Sequence, residues 1–181
     1  MDTIGSLAEH GINRFMIING HGGNKNIMNL VVQLAKRDFG VMVAAPSGPS
    51  DTELAKEIDK RRNAHWDVHS GPTETSGALA LFPELVDMES LEDWEVTLKV
   101  QPTLMEFLDP EREDYELVSQ LWGACSQPNT DDFTSSGVYG TNDPRDADPE
   151  EYKRRFEERV EFLAEFIRRW KEIDTPPAFR D

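Results

Sequence analysis

One cysteine, Cys125, stands in 181 residues. A single thiol excludes an intramolecular disulfide framework and suits a reducing, cytoplasmic setting. A lone thiol of this kind is more often an inert packing residue than a nucleophile. The chain also lacks any apolar run approaching the roughly 20 residues that a membrane-spanning helix needs. Positive charge is scarce: 19 Lys and Arg against 35 Asp and Glu leave a formal charge of −16. Such a chain repels nucleic-acid backbones and anionic lipid, so neither is an expected partner. The opening MDTIGSLAEHG has no basic-then-apolar pattern of a secretory signal. There is no internal repeat and no sharp break in composition, so residues 1–181 read as a single domain, long enough to bury a core. With 38% hydrophobic and 30% charged residues, the class is soluble and globular.

What is present is an alternation of short apolar runs and amphipathic segments. Residues 2–10 read as the end of a helix closed by Gly11, and RFMII (Arg14–Ile18) as a buried strand bounded by turn residues. The following segment places Ile27, Leu30, Val31, Leu34 and Ala35 on one helical face, with Asn24 or Asn26 as cap and Gly40 as stop. VMVAAP (Val41–Pro46) is a second buried strand. Strand, helix, strand at this spacing is a βαβ unit with parallel strands. Residues 50–62 predict an exposed helix with Glu57 and Arg61 placed for an i,i+4 pair. NAHWDVHSG reads as a loop, and a helix runs from Pro72 until Pro83 stops it. Residues 84–120 fit no clean pattern. Residues 126–147 are rich in Gly, Ser, Asn, Asp and Pro, a long loop of the kind that is functional or disordered. The last helix begins with Asp148 as cap and Pro149 at its first position, and carries Phe156, Val160, Leu163, Ile167 and Trp170 as one apolar stripe.

Chemistry concentrates in two places. NGHGGN (Asn19–Asn24) puts His21 among glycines just past a predicted strand, where ligands of parallel sheets bind. Gly20, Gly22 and Gly23 allow a tight turn and leave room around the imidazole. Three readings stay open: a metal ligand, an anion cradle before a helix N-terminus, and a turn whose histidine caps a backbone group. The motif matches neither the dinucleotide fingerprint nor the P-loop. HWDVHSGPTETS (His65–Ser76) gathers His65, His69, Trp66, Asp67 and Glu74 around the start of a helix. Glu74 falls in the first turn, where the helix dipole favours the ionised carboxylate that a divalent metal requires. A bland alternative has Thr73 or Thr75 capping the helix and Trp66 packing. One histidine and one glutamate do not complete a catalytic zinc site, which keeps three protein ligands and one open position. His65, His69, Asp67 or a source outside the chain supplies the remainder.

In this order the two clusters resemble the creatininase family of metal-dependent amidohydrolases. The family's NGHGGN is Asn19–Asn24, and its D-x-H-x-G-x-x-E-T-S signature is Asp67, His69, Gly71, Glu74, Thr75 and Ser76. A Gly-Val-x-Gly turn before the last helix is SGVYG, Ser136–Gly140, and the likeness runs from about Ser6 to Trp170. The resemblance implies an α/β fold, a three-layer α/β/α sandwich with a parallel-rich sheet. It implies two divalent ions, Zn²⁺ and/or Mn²⁺, with His21 a ligand of one and Glu74 of the other. His69 matches the residue that donates a proton to the leaving nitrogen. Trp66 matches an aromatic near the creatininase pocket, one residue closer to the histidine here, and with Gly22 makes up the implied substrate-binding pair. The reaction implied is hydrolysis of a C–N bond in a small cyclic amide or formamide by metal-activated water. Creatininase itself has a carboxylate where Gly23 stands, so creatinine is not the implied substrate. Family members also carry an N-terminal strand with a glutamate, a histidine and an aspartate that complete both metal sites. The expectation is that the chain begins after that segment and is inactive alone. The alternative function is a non-catalytic or partner-dependent binding subunit. Homo-oligomers, often hexamers, are the family's habit.

Overall fold

Gly40 sets the first boundary of the structure, a computed structural model that describes residues 1–65, 67–95, 97, 99, 113–114, 117 and 133–174. Trp66 and Cys125, and most of 84–120 and 126–132, lie outside the described residues. Gly40 takes φ 63° and returns its N–H to the Lys36 carbonyl, closing a helix with Lys36 and Arg37 in its last turn, where cations complement the dipole. The elements in chain order are α1 (Asp2–Glu9), β1 (Arg14–Met16), α2 (Lys25–Phe39), β2 (Met42–Ala44), α3 (Glu53–His65), α4 (Pro72–Leu81) and α5 (Pro149–Lys171). β1 and β2 pair in parallel, with Arg14 opposite Met42 and Met16 opposite Ala44. The fold is therefore α/β, built on the βαβ unit the sequence predicts. The strands are shorter than the apolar runs, although Ile17 N–H still reaches the Ala44 carbonyl at 2.9 Å.

Two compact units divide the chain, Met1–Pro49 with Glu158–Asp181, and Ser50–Glu157. In the first, Ile4, Ala35, Val41 and Val43 form a buried cluster, with Phe15, Val31 and Phe39 packed on it. Gly5 is needed there, since a Cβ would sit 2.8 Å from the Phe39 ring. The Arg14 guanidinium donates to the carbonyls of Trp170 and Ile173 at the end of α5. Only part of the predicted α2 face is covered. Ala35 is buried, but Ile27 and Leu30 on the early turns are 61% and 53% exposed. The α5 stripe is likewise half covered. Phe156 and Val160 are exposed and no residue of α5 is fully buried.

In the second unit α3 runs on through Asn63 and Ala64 to His65, where the sequence suggests a loop. Ala55 and Ile58 are its buried face. Arg61 does not settle on Glu57; it reaches Glu151 at 2.5 Å, and Glu57 acts on it only through its field. Glu151 is the less exposed carboxylate, its side chain 16% accessible, so the attraction to Arg61 is screened less there. α4 packs Gly77 against the Tyr152 ring, where a Cβ would stand 2.8 Å from it. The Ser76 hydroxyl donates to the Pro72 carbonyl and accepts the Asp148 N–H at 2.8 Å. Asp148 caps α5 as expected: its Oδ1 accepts the Glu151 N–H at 2.9 Å, and Glu150 and Glu151 occupy the positive end.

Replacing that cap tests the frame. Asp148→Ala should lower the stability of the chain by about 1 kcal/mol, seen as a lower urea midpoint at unchanged slope. An unmoved midpoint would mean the cap contributes nothing.

Candidate functional site

The two clusters of the sequence sit in different compact units and are described in turn. In the first, Asn19–Asn24 forms a self-bonded turn. Asn19 Nδ2 donates to the His21 carbonyl at 2.8 Å, and Asn19 Oδ1 accepts the His21 N–H at 3.2 Å and Asn24 Nδ2 at 3.3 Å. Arg159 donates to the Asn19 carbonyl at 3.2 Å. His21 is extended and stands as cap to a short 3-10 turn, Gly22–Asn24, its Nδ1 accepting the Gly23 N–H at 3.1 Å. Asn24 occupies the position before α2 but makes no side-chain cap. The expectation that three glycines clear space for the imidazole narrows to one. A Cβ at Gly23 would lie 3.1 Å from the ring, whereas nothing lies within 4 Å of one at Gly20 or Gly22.

In the second cluster, His69 is held by backbone pairing. It forms an antiparallel bridge with Tyr139. Tyr139 N–H donates to the His69 carbonyl at 2.8 Å, and the Tyr139 carbonyl accepts the N–H groups of Val68 and His69 at 2.9 and 3.1 Å. The SGVYG turn is thus the rail on which His69 rides. That turn is fixed by hydroxyls. Ser136 Oγ lies 2.7 Å from Thr97 Oγ1 and accepts the Val138 N–H at 3.2 Å, and Thr97 Oγ1 meets the buried Thr134 hydroxyl at 2.8 Å. The Tyr139 ring stacks on Phe133 with centroids 4.8 Å apart and lies tilted beside the His69 imidazole at 6.2 Å. Sequence reasoning missed Tyr139, Thr97 and Thr134; only the glycine turn hinted at the first.

Glu74 stands in the first turn of α4, one oxygen accepting the Ser70 N–H at 2.8 Å. This is the reach-back of a capping box, made to the residue before the cap. Ser70 adopts φ 55° to offer that N–H. The other Glu74 oxygen is 3.8 Å from His69 Nδ1, within ion-pair reach when the ring is protonated. The capping role expected of Thr73 or Thr75 belongs instead to Asp67, whose Oδ2 accepts the Thr73 N–H at 2.9 Å. Thr75 turns back to the Ser70 carbonyl. Asp67 is 5% exposed, so it is not placed as an open ligand. His65 ends α3.

The donor chemistry of His21 and Glu74, one imidazole and one carboxylate, fits a borderline divalent ion. Each already receives a backbone N–H, from Gly23 and from Ser70. A ring nitrogen that accepts Gly23 N–H cannot offer the same lone pair to a metal, so metal and turn compete for His21 Nδ1. Among the described residues no three His, Cys, Asp or Glu side chains gather into a metal-binding group. No helix among them is long and apolar enough to cross a membrane.

Comparison with known proteins agrees with the motifs. The creatininase family model, described as creatinine amidohydrolase, matches residues 1–167. The creatinine amidohydrolase of Pseudomonas putida is 33% identical over 102 residues, which is 51% of this chain and 39% of that protein. No solved structure matches the chain.

Burial pushes the Tyr139 phenol from 10.0 up to about 12. A raised folded value means that the fold favours the neutral phenol. Its stabilisation is complete below the unfolded value near 10 and is lost as pH rises through about 12. Urea midpoints should therefore fall more steeply across that alkaline window in the wild type than in Tyr139→Phe, which has no proton to lose. Parallel profiles would show that the phenol is not linked to folding.

Proposed function

The chain belongs to the creatininase family, and from that premise we propose that it is a metal-dependent amidohydrolase. Its substrate class is a small molecule with a cyclic amide or formamide C–N bond. The observation that supports this most directly is the 3.8 Å approach of His69 Nδ1 to Glu74 Oε1 at the junction of a loop and a helix N-terminus. A proton carrier whose main chain is paired with Tyr139 and a carboxylate that accepts the Ser70 N–H stand side by side there.

His21 and Glu74 are the proposed metal ligands, for two ions of zinc or manganese. A bound divalent ion supplies a nucleophilic water at neutral pH and polarises the scissile carbonyl. The chain's own residues do the rest. The Ser70 N–H fixes one Glu74 oxygen and leaves the carboxylate in a set orientation at the positive end of α4. His69, its backbone locked to Tyr139, delivers a proton to the departing nitrogen. Trp66, outside the described residues, and Gly22 are the proposed substrate-binding residues. Gly23 offers no carboxylate at its position, which directs the proposal away from creatinine itself. The proposed whole is one domain, a three-layer α/β/α sandwich with a parallel-rich sheet, assembled as a homo-oligomer, a hexamer by family habit, in the cytoplasm.

Elemental analysis of metal retained after dialysis against Zn²⁺ or Mn²⁺ tests the ligands. His21→Ala and Glu74→Ala should each lose metal while keeping their far-ultraviolet dichroism. His69→Gln should keep metal and lower turnover of a formamide or cyclic amide by roughly 10²–10⁴-fold, the usual worth of a positioned acid. Metal retained in full by both ligand variants would end the reading.

A further inference from the structure

Asp67 is a carboxylate where a carboxylate is costly. It is 5% exposed, and its Oδ1 has no hydrogen-bond partner. A buried acceptor left unpaired asks for a reason. Its surroundings supply one. The Asp67 N–H donates to the Arg62 carbonyl at 3.1 Å, and the Arg62 guanidinium donates to the Asp67 carbonyl at 3.3 Å, so the backbone of Asp67 is tied to the end of α3. Its Oδ2 holds the Thr73 N–H in the first turn of α4. The side chain therefore spans the loop from one helix to the next. His69 and Ser70 lie inside that span, and Glu74 follows Thr73 directly. The unpaired Oδ1 lies against Gly71, where a Cβ would stand only 2.2 Å from it. Only glycine lets the carboxylate close the loop.

We propose that Asp67 is a positioning residue for His69 and Glu74, clamping the Asp67–Thr73 loop through Thr73 N–H, and that Gly71 exists in this sequence to admit its second oxygen. Asp67 and Gly71 are one device, and the unpaired oxygen is the cost of fitting a two-oxygen cap into a space that serves the neighbouring pair. Shape and the accepting oxygen do the work; the charge is incidental. The functional meaning rests on the roles proposed for His69 and Glu74, but the device itself does not.

The test reads the loop in the full chain without metal or substrate, so the hydrolase reading can fail while this one stands. Two signals are followed by NMR: amide exchange at Thr73 and the ring Hε1 shift of His69. Asp67→Asn retains an accepting oxygen of the same reach and should leave both near wild type. Asp67→Ala should speed Thr73 exchange by roughly tenfold or more, the worth of a side-chain cap on a helix start, and move the His69 signal toward that of an exposed imidazole. Gly71→Ala should reproduce this, because its Cβ drives the carboxylate out, and Asp67→Ala with Gly71→Ala should be no worse than Gly71→Ala alone. If Asp67→Ala does not fold, the comparison of Asp67→Asn with Gly71→Ala decides. Wild-type signals in Gly71→Ala, or an Asn variant as damaged as the Ala variant, would overturn the proposal.

Discussion

The second cluster hangs on a pairing of backbone with backbone. Val68 and His69 bond to Tyr139, a residue far along the chain, through hydrogen bonds of 2.8–3.1 Å. A residue on a free loop samples many backbone states, and fixing it costs entropy. Here the cost is met once, on folding. The hydroxyls of Thr97, Thr134 and Ser136 stiffen the partner turn, and the stacked Phe133 and Tyr139 rings wall it on one side. The rail is therefore itself supported, layer behind layer, as a precise site requires.

Local rules made much of the fold legible. The βαβ unit follows from two apolar runs separated by an amphipathic segment with a glycine stop, and β1, α2 and β2 appear in that order and in parallel. Asp148 and Pro149 mark the start of α5 in sequence and in space, because a cap acts only on its own first turn. What the residues alone misread was decided at longer range. Arg61 had a good neighbour four positions back, yet a half-buried carboxylate on another helix holds it instead. Helix α3 outran its expected end, since nothing between Arg62 and His65 forbids another turn. Ile27 and Leu30 have the right period for a core but are exposed, and periodicity cannot say what stands opposite a face.

The candidate residues stand out in the sequence, but their bonding does not. His21, His69 and Glu74 were identifiable by type and spacing, and the family match extends over residues 1–167. That the Gly23 amide donates to the His21 ring depends on turn geometry, which no spacing rule encodes. The helix cap likewise went to Asp67, outside the usual cap position, because Gly71 has no side chain to offer and Pro72 has no N–H to satisfy. The signature D-x-H-x-G-x-x-E then reads physically: the acid closes the loop, the glycine makes room, and the histidine and glutamate are what the loop presents.

The uncovered apolar residues on α2 carry a consequence for handling. At neutral pH the formal charge of −16 surrounds every molecule with repulsion that outranges the contact attraction of two small greasy patches. That balance is colloidal rather than structural. Near the sequence isoelectric point of about 4.6 the repulsion vanishes, while Ile27 and Leu30 remain in the water. The folded chain then becomes adhesive through a change of charge alone.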